Sequence, residues 1–63
     1  MSAFTILDAE CSADTLQTIL RDAGLHHYAE TVQPGAFASV TIAREDIPKV
    51  RALLRARRIK HGV

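Results

Sequence analysis

The strongest constraint on this chain is an internal repeat. The segment from Leu16 to His27 recurs 34 residues later as the segment from Val50 to His61. Leu16 falls on Val50, Ile19 on Leu53, Leu20 on Leu54, Arg21 on Arg55, Leu25 on Ile59 and His27 on His61. Upstream, Ile6 falls on Val40 and Ala9 on Ala43. A short chain with such a repeat is expected to fold as two similar halves that share one core, because neither half can bury its apolar face alone.

Each half has the pattern strand, helix, strand. Phe4 to Ala9 is an apolar run suited to a first strand. Ser12 is placed to cap a helix, and Asp14 would sit in its first turn, where negative charge is favoured. Ala13, Leu16, Ile19, Leu20 and Ala23 share one helical face. Gly24 suits a left-handed stop, with Leu25 folding back on Leu20. His26 to Val32 is expected as a second strand. Gln33-Pro34-Gly35-Ala36 is expected as a type II turn, since proline and glycine hold its central positions. Ala38 to Ala43, with β-branched Val40, Thr41 and Ile42, is expected as a third strand. A second helix should begin near Asp46 to Pro48 and bury Ile47, Val50, Leu53 and Leu54. By the repeat, Ile59 to Val63 is expected as a fourth strand; because Arg58 stands where the first copy has Gly24, the alternative is that the second helix continues and frays there.

These elements imply an α+β domain over residues 1–63. Two βαβ halves joined by a central hairpin give a ferredoxin-like two-layer sandwich, with a four-stranded antiparallel sheet and two helices on one face. The expected core is Phe4, Ile6, Leu16, Ile19, Leu20, Leu25, Val40, Ile42, Val50, Leu53 and Leu54. Alternation would then place Thr5, Leu7, Tyr28, Val32, Ser39 and Thr41 on the open sheet face. A domain of 63 residues buries only ~60% of its unfolded surface. Its single cysteine cannot form an internal disulfide. A two-fold homodimer is therefore expected as a source of further burial. The lone thiol fits a reducing, cytoplasmic compartment, and neither a signal peptide nor a membrane span is visible.

No coherent catalytic set stands out, so the chain reads as a non-enzymatic binding module. Residues 1–32 set five carboxylates against Arg21, a balance of −4, while residues 33–63 set seven Lys and Arg against Glu45 and Asp46, a balance of +5. The cations concentrate at Arg51, Arg55, Arg57, Arg58 and Lys60. Such a patch can attract an acidic protein or a nucleoprotein, or it can simply solvate a helix end. With Leu7, Tyr28 and Val32 of the open face, it forms the expected partner-binding surface of a regulatory or inhibitory module. Nucleic acid is the less favoured partner. Strand 3 offers no aromatic for base stacking, and Phe4 is expected in the core. Cys11, between the first strand and the first helix, is a candidate for thiol or metal chemistry, and His27 and His61 could form a metal pair only if their strands are adjacent. No cofactor is expected.

Two resemblances bear on this reading. The length and element order resemble the heavy-metal-associated domain, whose Met-x-Cys-x-x-Cys motif would fall on Ala9 to Asp14. Only Cys11 matches it, and Asp14 occupies the second cysteine's position, so the resemblance does not imply the two-thiolate metal site. The run Leu20-Arg21-Asp22-Ala23-Gly24-Leu25, with Val40 to Asp46 followed by Val50 and Leu53-Leu54, resembles small bacterial domains of the DUF2007 type, described as signal-transducing proteins. Both resemblances bear on the fold more than on any activity, and the second names no site.

Overall fold

The computed structural model describes residues 3–63. Its elements are β1 (Phe4–Ala9), α1 (Ala13–Asp22), α2 (His26–Ala29), β2 (Ala38–Ala43), a 3-10 turn (Arg44–Asp46), α3 (Ile47–Ala56) and β3 (His61–Gly62). The chain is α+β. Among the described residues the sheet has three antiparallel strands in the order β2-β1-β3. Among those residues the second strand expected from the sequence, at His26 to Val32, is absent, and the fourth, expected at Ile59 to Val63, is reduced to His61–Gly62.

The repeat governs both helices. α1 and α3 are each ten residues long, and their bounds differ by the repeat length. At α1, Ser12 has extended backbone angles and its Oγ accepts from the Thr15 N–H at 3.1 Å, as a helix cap should. The helix stops where the Gly24 N–H donates to the Arg21 carbonyl at 2.9 Å and the Leu25 N–H to the Leu20 carbonyl at 2.8 Å. The same pair of bonds closes α3. The Arg58 N–H reaches the Arg55 carbonyl and the Ile59 N–H the Leu54 carbonyl, both at 3.0 Å. Gly24 has φ of 80° and Arg58 has φ of 58°, so both turns need the left-handed conformation.

That conformation is cheap for Gly24 and costs about 1–2 kcal/mol for a residue with a Cβ. A Cβ placed on Gly24 would meet nothing within 4 Å, so glycine is there for its backbone alone. Arg58→Gly should therefore raise stability by about 1 kcal/mol, and Gly24→Ala should lower it by a similar amount. Urea denaturation of both variants measures the pair. A clear loss for Arg58→Gly would contradict the left-handed turn.

The segment expected as a second strand is helical for a reason visible in its spacing. Leu25, Tyr28, Ala29 and Val32 stand at i, i+3, i+4 and i+7, and all four are buried. The Tyr28 and Ala29 N–H groups donate to the Leu25 carbonyl, and the Thr31 N–H continues the coil to Tyr28. The expected proline-glycine turn does not form either. Gly35 lacks the positive φ that a type II turn requires, and residues 34–37 make an open bend instead. Beyond it, Gln33 and Ser39 exchange both backbone hydrogen bonds, at 2.8 and 3.0 Å. Among the described residues this isolated bridge is the only backbone pairing on the outer edge of β2.

β1 is turned over relative to expectation. Leu7 lies opposite Val40, Thr5 opposite Ile42 and Ala9 opposite Ala38, and this face packs under the helices. Phe4, Ile6 and Asp8 point the other way, so Phe4 and Ile6 are 60% and 61% exposed rather than in the core. The run is apolar on both faces, and a one-residue slip exchanges them. Burying Phe4 and Ile6 would also have turned Asp8 inward, whereas the face chosen carries only Thr5, Leu7 and Ala9. The remaining expected core residues are buried, except that Leu53 is only partly so.

Candidate functional site

The sheet has one covered and one uncovered face. The uncovered face carries Phe4, Ile6 and Asp8 from β1 and Ser39, Thr41 and Ala43 from β2, of which Ala43 alone is buried. Ile6 stands opposite Thr41 in the middle of this face, and Phe4 stands opposite Ala43 at one end. Phe37, just ahead of β2, is 51% exposed near the opposite end. Three of the expected partner-binding residues are elsewhere. Leu7, Tyr28 and Val32 all belong to the buried core, so none of them is presented on the open face. Thr5 also turns inward, while Ser39 and Thr41 are on the open face as expected.

Tyr28 instead holds the fold together. Its hydroxyl donates to Asp46 Oδ2 at 2.5 Å and accepts from the Ala43 N–H at 3.4 Å. One side chain thus ties α2 to the junction of β2 and α3. The hydrogen bond to Asp46, with burial, raises the Tyr28 pKa above its ordinary value, because both favour the neutral phenol. The same contact closes part of the β2 edge. Ser39 is bonded to Gln33 and the Ala43 N–H to Tyr28, so the outward-facing groups at both ends of that edge have partners.

The cationic residues form a second surface. Arg51, Arg55, Arg57, Arg58 and Lys60 are all exposed. Arg51 and Arg55 are one turn apart on α3, and the other three follow where the chain leaves the helix. Cations near a helix C-terminus gain about 0.3–1 kcal/mol each from the helix dipole, which is enough to account for Arg55 and Arg57. At Arg58 that gain is outweighed by the backbone cost of about 1–2 kcal/mol. Beside this end of the molecule lies an open depression of about 240 Å³ lined by Asp14, Thr15, Thr18, Ile19 and Arg57. Its hydroxyls are already engaged. Thr18 donates to the Asp14 carbonyl at 2.9 Å, and Ser12 donates to Thr15 Oγ1 at 2.9 Å.

Cys11 is partly buried against the core, and that burial pushes its thiol pKa up. Burial therefore works against activating this thiol as a nucleophile. Among the described residues no three His, Cys, Asp or Glu side chains gather as a metal site. His61 is engaged locally, with Nδ1 3.0 Å from the Ile59 carbonyl. No helix of the described residues is long and apolar enough to cross a membrane.

The exposure of Phe4 and Ile6 is the surface feature that sequence reasoning placed wrongly. The charge of Asp8, two residues on, is the signal that could have found it. Comparison of the chain with protein-family models, with curated proteins and with solved structures gives no match.

Proposed function

We propose that this chain is a non-catalytic protein-binding module, regulatory or inhibitory in kind, and that its uncovered sheet face is the contact surface. The observation that carries this reading is the pair Phe4 and Ile6, more than half exposed on the central strand of a sheet whose other face holds the core. The architecture is read as a ferredoxin-like sandwich lacking one edge strand. The order β2-β1-β3 fits the first, third and fourth strands of that fold, and the Gln33 bridge occupies the second strand's position. A reducing, cytoplasmic setting accords with the single free thiol.

The first occupant of the open face is a second copy of the chain. A two-fold axis brings the same apolar patch onto itself, and two sheets stack with about 10 Å between them. Ser39 and the Ala43 N–H already have partners on the β2 edge, so the apolar face is taken as the contact. Sedimentation at micromolar concentration should show a dimer. Ile6→Glu should convert it to a monomer with unchanged circular dichroism, because Ile6 is exposed in the single chain. A wild-type protein that sediments as a monomer throughout would remove the dimer.

One observation favours a second reading, nucleic-acid binding. Phe4 is not in the core, so an aromatic ring is available on the central strand for base stacking. It is the only aromatic residue within β1 or β2, and Asp8 shares its face, which favours the protein partner.

A further inference from the structure

The two helix endings offer an internal comparison. They make the same backbone bonds and need the same left-handed residue, yet one uses Gly24 and the other Arg58. Neither the helix dipole nor local geometry accounts for arginine in that place, since glycine fits the turn without strain. We infer that Arg58 is a binding residue, and that with Arg51 and Arg55 it forms a guanidinium row that docks an acidic segment of a partner protein. This inference rests on the reading of the chain as a protein-binding module, but not on the use of its sheet face.

The spacing suits such a segment. Arg51 and Arg55 are one helical turn apart, a rise of about 6 Å. Carboxylates at alternate positions of an extended chain are about 6.6 Å apart on one side. Arginine offers each of them a planar fork of donors, a geometry that lysine does not provide. The surroundings limit the partner's size. Asp14 lines the depression beside Arg57, and the Glu10 N–H is bonded to the Lys60 carbonyl at 2.8 Å, which brings a carboxylate-bearing residue to that flank. The whole chain carries a net charge of only +1. A long polyanion such as a nucleic-acid strand would run from the basic row onto these carboxylates, whereas a short acidic stretch would not.

The test is titration of the full chain into a fluorescein-labelled octaglutamate peptide at low salt, followed by fluorescence anisotropy, with dodecathymidylate as the competing probe. The wild type should bind the peptide, and binding should weaken as salt shortens the screening length to about 8 Å. Arg58→Asn keeps a residue that tolerates the left-handed turn and removes the charge. Arg58→Gly removes the charge while relieving the backbone. Each should weaken binding roughly tenfold, and Arg58→Lys should recover part of that loss. Arg21→Gln, at the matching position of Arg55 on α1, should bind as the wild type does. Because Arg58→Gly is expected to fold more stably, its loss of binding cannot be ascribed to unfolding. Unchanged affinity in the Asn and Gly variants would overturn the inference, as would no peptide binding at low salt. Tighter binding to dodecathymidylate than to the peptide would overturn it in favour of a nucleic-acid surface. Sedimentation of the wild type tests the sheet face separately, so either proposal can fail alone.

Discussion

Leu20→Ala is expected to remove about 2–5 kcal/mol of folding stability. Leu20 is fully buried. It belongs to the same core cluster as Leu7, Leu16, Val40, Ile42, Val50 and Leu54, and its carbonyl accepts the Leu25 N–H that ends α1. Alanine would keep that backbone bond and leave a cavity that rigid neighbours fill only in part. For 63 residues, a total stability of roughly 3–9 kcal/mol follows from about 0.05–0.15 kcal/mol per residue. The substitution therefore threatens most of the fold. Urea denaturation, with a stabilising osmolyte if the variant is unfolded in buffer, measures the loss. A loss under about 1 kcal/mol would show that Leu20 is not central to the core.

The second large effect is expected from Tyr28→Phe, at about 1.5–3 kcal/mol. The ring would still fill its place, so the change isolates the hydroxyl. Its removal takes a donor from Asp46 and an acceptor from the Ala43 N–H, and an unsatisfied buried donor costs more than the bond it made. The pH dependence gives an independent reading. The Tyr28 pKa is higher in the folded chain than the ordinary value near 10, so the folded state holds the phenolic proton more tightly than the unfolded state does. The resulting stability is complete below about pH 10 and is lost as pH rises through the higher folded value. The wild type should thus lose stability on that alkaline limb, and Tyr28→Phe should lack this component. Denaturation midpoints from neutral to alkaline pH would show it. Parallel curves for the two proteins would mean that the hydroxyl is not held as described.

The partner-binding surface was legible only where it depends on exposure and charge. Arg51, Arg55, Arg57, Arg58 and Lys60 are exposed as their composition and spacing suggest. Leu7, Tyr28 and Val32 were assigned to the open face by strand alternation, and that rule failed for two separate reasons. Leu7 lies on a strand apolar on both faces, where the pattern does not choose between them. Tyr28 and Val32 do not lie on a strand at all. Their spacing from Leu25 is helical, and that signal competed with the β-formers and with the repeat, which pairs His27 with His61 of β3.

What the sequence determined by itself is the local grammar of the two halves. The bounds of α1 and α3 differ by the repeat length, as do those of β1 and β2. Ser12 caps α1, and both helices end in the same left-handed turn although one of them must use Arg58. The helix caps and endings rest on hydrogen bonds between residues at most five apart, so the nearby sequence is sufficient to specify them. Only the tertiary structure decided which face of β1 is buried and what became of residues 26–32. β1 could present either Phe4 and Ile6 or Leu7 and Ala9, and the choice was made by burying the face free of Asp8 against β2 and the helices. Residues 26–32 could add an edge strand or coil over the core. There, four buried side chains and the Tyr28–Asp46 bond stabilise the coil, through contacts that span up to 18 residues of sequence.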